Sequence, residues 1–304
     1  MRELVVISGK GGTGKTSIVA SFAALARNAV LVDCDVDAAD LHLVLAPSTV
    51  RRNQFSGGSR ARIKSGHCTA CGKCVEVCRF GAVFNDGPGN GRADKTFRVD
   101  SIACEGCGVC AHVCPDGAID FAPANNGEWF ISNTRHGPMV HAALGIAEEN
   151  SGKLVSLLRR EAKKVAATRN LNVMIVDGSP GIGCPVIASI TGADLVLIVA
   201  EPTLSGLHDL ERVTQLTKHF GLHTLVCVNK YDLNAELTAE IETSARKGGV
   251  EVAGRVRYDR SVTEAQIKEQ TLVEYTKTGA GEDVQKLWAR VCTRLGESTP
   301  LTIL

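Results

Sequence analysis

Leu4-Val-Val-Ile-Ser-Gly-Lys10-Gly-Gly-Thr-Gly-Lys15-Thr16-Ser17 decides the fold of this chain. Four apolar residues, a glycine-rich turn and an apolar segment to Arg27 read as strand, loop and helix in succession. Gly9, Gly11, Gly12 and Gly14 let the backbone N–H groups around Thr13 curl about an anion, and the helix N-terminus adds its dipole. Lys15 is expected to reach the outer phosphates of a nucleoside triphosphate. Thr16 is expected to ligate Mg²⁺, with Ser17 beside it on the cofactor.

Outward from this motif, apolar runs alternate with helix-like segments. Strands are expected at Leu4–Ile7, Val30–Asp33, Val173–Asp177, Leu195–Val199, Thr224–Val228 and Val250–Val256. Helices are expected at Thr16–Arg27, Gly152–Thr168, Leu207–His219, Ala235–Lys247 and Gly281–Leu295. Continuous Val/Ile/Leu runs suit strands buried on both faces, so the fold class is α/β: a mostly parallel sheet covered by helices on both faces. Two strand ends carry acids suited to a metal–phosphate site, Asp33-Cys34-Asp35 and Asp177-Gly-Ser-Pro-Gly181. Another strand ends in Asn229-Lys230-Tyr231-Asp232, which looks like a base-recognition loop, and the next ends in Val256-Arg257-Tyr258-Asp259.

The alternation breaks between about Pro47 and Pro123, in a stretch rich in Gly, Cys and Arg that holds the one internal repeat. Cys68, Cys71, Cys74 and Cys78 read C-x2-C-x2-C-x3-C. Cys104, Cys107, Cys110 and Cys114 repeat that spacing, with Pro115 after the fourth cysteine where the first run has Arg79. The division expected is one domain of residues 1–47 and 123–304 with residues 48–122 inserted. Glu128–Ser132 is expected to return to the sheet or its edge. The insert follows shortly after Asp33 and Asp35, so motion of that loop is expected to reach it directly.

The bulk numbers bound the function. A chain of 304 residues is long enough for one large core plus a small module. Its net charge of +1 gives no reason to expect nucleic acid or an anionic membrane as partner. No apolar stretch reaches the roughly 20 residues of a membrane span. Met1-Arg2 leads straight into a strand, so no secretory leader is expected and the location expected is cytoplasmic. In that setting twelve cysteines point to metal or redox chemistry and away from disulfides.

The early lysine in Lys10-Gly-Gly-Thr-Gly-Lys-Thr16 resembles the deviant Walker A loop of the MinD/ParA/Mrp ATPases. The resemblance implies ATP and Mg²⁺ as cofactors, slow partner-stimulated hydrolysis, and an ATP-dependent homodimer or a heterodimer with a related ATPase. It implies that Lys10 acts on the partner's nucleotide. Asp35 would orient the attacking water, Asp33 would lie near the Mg²⁺ shell, Asp177 would hold that shell and the Gly181 backbone would sense the γ-phosphate. Asn229 and Tyr258 would contact the base. Relatives often carry proline where Arg257 stands, so a looser loop is expected here.

The cysteine spacing resembles bacterial two-cluster ferredoxins, in which the fourth cysteine of each run ligates the other cluster. That implies two [4Fe–4S] clusters, one on Cys68, Cys71, Cys74 and Cys114 and one on Cys104, Cys107, Cys110 and Cys78. Structural zinc usually shows paired knuckles with a long gap, which tandem runs of four do not match. The whole chain thus resembles MinD-superfamily ATPases with an inserted ferredoxin domain. Glu148–Lys153 and Thr203–Asp209 also resemble that group.

Cys184 lies at the offset from Asp177 at which the related nitrogenase iron protein holds a cluster, and so is a candidate interface metal or cluster ligand, or a small thiol beside a turn. Cys227 and Cys292 are expected in the core. Arg51, Arg52, Arg60, Arg62 and Lys64 make a basic approach to the insert, a docking face for an acidic redox partner or a solvated surface. Three functions remain: an ATPase coupling nucleotide-driven dimerisation to electron transfer toward a redox or metalloprotein client, a cluster or metal-centre insertion factor, and a spatial organiser or scaffold.

Overall fold

The computed structural model describes residues 1–145 and 151–296. Among them the strands are, in chain order, β1 (Arg2–Ser8), β2 (Ala29–Asp33), β3 (Ser48–Phe55), β4 (Ser59–Ile63), β5 (Val83–Gly87), β6 (Thr96–Val99), β7 (Ile119–Pro123), β8 (Gly127–Thr134), β9 (Gly137–Leu144), β10 (Val173–Pro180), β11 (Leu195–Ala200), β12 (Thr224–Asn229) and β13 (Glu251–Val256). Nine form one sheet in the order β13-β12-β11-β1-β10-β2-β9-β8-β3. From β13 to β9 the pairs run parallel. The two-residue turn Arg135–His136 then joins β8 to β9, which makes that pair antiparallel.

β1, β10 and β11 are buried almost throughout, which is why they read as unbroken aliphatic runs. Each aliphatic side chain so buried contributes roughly 1.5–3 kcal/mol. The helices Lys15–Leu25 and Ala280–Leu295 meet through Phe22 and Trp288, with ring centroids 4.8 Å apart. The helices Ser151–Arg169 and Cys184–Ile190 pack on each other and on β2 and β10. The register across the sheet centre matters most for function: Asp177 lies opposite both Val6 and Asp33. Two acids therefore stand side by side on adjacent strands, toward the carboxyl edge where open parallel sheets place ligands.

The chain divides into two compact units, Met1–Asn53 with Trp129–Ala143 and Ser151–Leu304, and Gln54–Glu128 with Leu144–Asn150. Residues 146–150 and 297–304 lie outside the described residues, as does the first half of the Glu148–Lys153 motif. The second unit starts and ends later than the 48–122 expected, because Ser48–Phe55 is already a strand of the large sheet. Between Asp35 and this unit lie the helix Leu41–Leu45 and β3, so the insert does not hang directly from the acidic loop. The basic run is likewise divided: Arg51 and Arg52 lie on β3, while Arg60 and Arg62 lie on β4 and Lys64 pairs with Asp120 at 2.5 Å.

The second unit contains two antiparallel ribbons, β4 with β7 and β5 with β6. Its sequence repeat becomes a structural one. Gly72 and Gly108 take the left-handed conformation, φ 82 and 74°, before the matching helices Lys73–Val77 and Val109–Val113. The stem is closed by hydrogen bonds from Asn126 N to Phe55 O at 2.8 Å and from Ala124 N to Gly58 O at 2.9 Å.

Candidate functional site

The loop after β1 is held from behind by the end of β12. Asn229 Nδ2 donates to Thr13 O at 2.7 Å, and Lys230 Nζ donates to Gly12 O at 3.2 Å. Gly12 and Gly14 have φ of 78 and 87°, a region that side chains seldom adopt. A Cβ on Gly14 would also collide with Asn229, and one on Gly9 with Asp209. The glycines thus serve close packing as well as phosphate access. Ser8 Oγ donates to Lys10 O at 2.8 Å, steadying the near side of the loop.

Lys15 opens the helix and is buried between two acids. Its Nζ lies 2.6 Å from Asp177 Oδ1 and 3.1 Å from Asp35 Oδ2. Burial by itself would lower the Lys15 pKa, but Asp177 and then Asp35 outweigh it and raise it above the ordinary value. Burial raises the Asp35 carboxyl, with Lys15 opposing the shift. Burial, and then the charge of Asp177, pushes Asp33 well above the usual carboxylate range. Asp33 Oδ1 accepts from Asp35 N at 3.1 Å and Oδ2 accepts from Leu41 N at 3.2 Å. Both of its oxygens are engaged by backbone, so Asp33 shapes the loop and docks the next helix.

Asp177 Oδ2 is buried without a partner, as is Thr13 Oγ1. A cavity of about 580 Å³, within the usual size of a small-molecule site, is lined by Ser8, Gly11–Ser17, Asp35 and Pro180 among others. A free carboxylate oxygen and the Thr16 hydroxyl are hard donors of the type Mg²⁺ takes, so the residues present fit that ion. The Gly181 N–H is committed to Ser8 O at 2.8 Å, and Ser179 Oγ donates to Cys34 O at 2.6 Å, tying the two acidic loops together.

A second cavity of about 200 Å³ shares Gly14 and Ser17 with the first and is lined by Asn229, Lys230, Arg257 and Tyr258. Here Asn229 spends one of its two amide N–H donors on the phosphate loop. The loop expected to be loose without its proline is pinned. Arg257 Nε and Nη2 donate to Asp283 at 2.6 and 2.8 Å, and Tyr258 N donates to Asp232 Oδ1 at 2.7 Å.

Lys10 turns toward its own chain, with Nζ 3.1 Å from Thr203 Oγ1, 3.0 Å from Ser205 Oγ and 3.3 Å from Glu201 Oε2. Thr203 also caps the helix Leu204–His219 by accepting from Gly206 N at 3.0 Å. Glu201 and Gln266 were not legible beforehand. Gln266 Nε2 donates to Ser17 Oγ at 3.0 Å, yet neither residue stands in a motif, and each reaches the loop only through the fold.

In the second unit Cys68, Cys71, Cys74 and Cys114 line one small cavity, and Cys78, Cys104, Cys107 and Cys110 line another. Ala118 N–H points at Cys114 Sγ at 3.3 Å. Burial pushes the free Cys74 thiol up to about 11, and shifts Cys110 the same way. Among the described residues no group of three or more His, Cys, Asp or Glu is drawn close enough to hold a single metal ion. Cys184 is exposed at the start of its helix, next to Gly152, and belongs to no such group. Cys34, Cys227 and Cys292 are buried.

Known proteins share this architecture. The family described as the CobQ/CobB/MinD/ParA nucleotide binding domain (CbiA) matches residues 4–273. The uncharacterized protein MJ0578 of Methanocaldococcus jannaschii is 34% identical over 238 residues, 76% of this chain and 79% of that one. The cell division ATPase MinD of Pyrococcus furiosus superposes with a TM-score of 0.58 at 16% identity, covering 96% of this chain and 98% of that one. The septum site-determining protein MinD of Pyrococcus horikoshii, complexed with Mg-ADP, does so with 0.57 at 17% identity, covering 95% of each. At these identities the solved structures establish the shared fold. No helix among the described residues is long and apolar enough to cross a membrane.

Proposed function

This chain belongs to the CobQ/CobB/MinD/ParA nucleotide-binding family, and on that footing we propose that it is an ATPase coupling nucleotide-driven dimerisation to electron transfer through two [4Fe–4S] clusters. One observation carries the electron-transfer part. Each small cavity is lined by three cysteines of one run and the fourth of the other, the ligand exchange of two-cluster ferredoxins. A cluster of four irons spreads its thiolates farther apart than a single ion does. Four thiols lining one cavity would supply the four ligands that such a cluster takes. Backbone N–H groups aimed at sulfur, as Ala118 is at Cys114, fit thiolates that keep their charge. Bound there, such clusters would supply one-electron transfer.

At the nucleotide site, Lys15 would exchange its carboxylate partners for the outer phosphates of ATP. Thr16 and Asp177 Oδ2 would hold Mg²⁺, whose charge would offset that of the phosphates. Asp35, released by Lys15, would orient the attacking water. Lys10 would leave Thr203, Ser205 and Glu201 to reach the partner's nucleotide. A route from this site toward the insert runs through covalent structure: Asp33 docks Leu41, the helix Leu41–Leu45 leads into β3, and β3 leads into the insert.

Protein purified without oxygen should be brown and hold about eight iron atoms per chain, the content of two such clusters. Its visible iron–sulfur absorbance at a fixed reduction potential should differ between ATP and ADP. Colourless protein with zinc alone would remove the cluster reading, and a nucleotide-independent spectrum would remove the coupling. Lys10→Ala should abolish ATP-dependent dimerisation, measured by sedimentation, and lower turnover at least tenfold. Undiminished turnover in that variant would remove the trans role of Lys10.

A further inference from the structure

Glu201 follows β11 directly, and its one carboxylate meets two lysines. Oε1 lies 2.9 Å from Lys230 Nζ, and Oε2 lies 3.3 Å from Lys10 Nζ. Lys230 uses the same ammonium group to hold Gly12 O, on the phosphate loop, and it lines the smaller cavity. It does so from a left-handed backbone, φ 56°, which a side-chain-bearing residue adopts at a cost. Lys10 is held on the other side of the loop by Thr203 and Ser205. The Glu201 side chain is 17% exposed, those of the lysines 26% and 32%. Burial would raise the Glu201 carboxyl, yet hydrogen bonds and charge from Lys230 and Lys10 bring it below its ordinary value.

We propose that Glu201 is a positioning residue shared by these lysines: it clamps Lys230 onto the Gly12 carbonyl, and the same carboxylate parks Lys10 on its own chain. The two halves impose opposite demands. Nucleotide binding gains from Glu201, because the clamp keeps the loop in its phosphate-ready shape. Dimer assembly must break the other half of its contacts. The Lys10 half rests on the reading in which Lys10 crosses to the partner's nucleotide, whereas the Lys230 half does not.

The test compares full-length wild type with Glu201→Gln, Lys230→Met and the double variant. Far-UV circular dichroism confirms folding. ADP affinity is measured by calorimetry, and dimer formation at saturating ATP by sedimentation. Each single variant should weaken ADP binding about fivefold, and the double variant no more than either, because the residues act as one unit. Glu201→Gln should at the same time lower the protein concentration needed for half-dimerisation about threefold at saturating ATP, a shift that Lys230→Met lacks. A variant that had merely lost structure would bind and dimerise more weakly together. Unchanged ADP affinity in Glu201→Gln, additive losses in the double variant, or dimerisation that falls with affinity would each overturn the shared anchor. A wild type that binds ADP but never dimerises with ATP would strike the role given to Lys10 in the previous subsection. The ADP measurements would then decide the clamp alone.

Discussion

Around Gly9–Thr16 the chain supplies its own counterparts. Asn229 and Lys230 cap loop carbonyls, Asp177 and Asp35 neutralise Lys15, and Glu201 takes Lys10. In Gln54–Glu128 the core is instead Ala61, Cys74, Val83 and Cys110, with Cys78, Cys104 and a few aliphatic residues packed against it. A unit of that size buries too little apolar surface to stand well alone, and here two of its core residues are free thiols. The first region holds its shape and its charge balance before a guest arrives. The second has thiols where its packing should be. On the proposed reading, one region is preorganised for a ligand that comes and goes, the other for a ligand that stays.

The comparison breaks most visibly at the cysteines. On the cluster reading, Cys74→Ala with Cys110→Ala should lower the iron content of the purified protein and abolish amide-exchange protection across residues 54–128, as removal of a structural metal does. ADP affinity should stay within about twofold, because the phosphate loop draws no support from those thiols. Protection that survives in the absence of iron would erase the contrast. Next in size is Lys15→Met. It leaves Asp177 and Asp35 buried without a counter-charge, so it should cost about 3–5 kcal/mol in denaturant unfolding and abolish nucleotide binding. Asn229→Ala strips a buried partner from Thr13 O and should cost about 1–3 kcal/mol, read as a lower Tm with weakened ADP affinity.

The smallest effect concerns the strands that carry the chain toward the module. His141 on β9 accepts from or donates to Ser132 on β8 at 2.9 Å. Burial, and then the neighbouring His42, lowers its pKa from 6.5 to about 4. The unfolded chain therefore takes up this proton near pH 6.5, and the folded one only near pH 4. Stability from this residue is full above the higher value and falls as the pH drops between the two, by about 1–2 kcal/mol at pH 5. His141→Gln should flatten that slope in Tm measured against pH, and an unchanged slope would place the titration elsewhere.

Most of the central sheet could be read because its strands carry their burial in their composition, as Leu4–Ile7 and Leu195–Val199 do. The nucleotide loop could be read because strand, glycines and Lys15-Thr16 are contiguous. Ser48–Phe55 could not. Its Arg51, Arg52, Asn53 and Gln54 show no apolar face, since an edge strand needs only a backbone partner on one side. Gly137–Leu144 was missed for a different reason: Met139, Val140 and Ala142 are buried, but the run is short and interrupted by His141. The clamp at Glu201 depends on the end of β11 meeting the end of β12, and no local pattern encodes that meeting. Arg257 has the same character, since it lies just after β13 and its partner Asp283 lies on the helix Ala280–Leu295.

The paired stem at Phe55 and Asn126 has a topological consequence. β3 and β8 are neighbours in the sheet, so the two ends of the module leave the host about one strand spacing apart, roughly 4.8 Å. A gap that narrow can be bridged by a tight turn. A chain that passed straight from β3 to β8 would then form an ordinary hairpin, and the order of the nine strands would be unchanged. The large sheet is therefore topologically indifferent to the length of chain carried between those two strands.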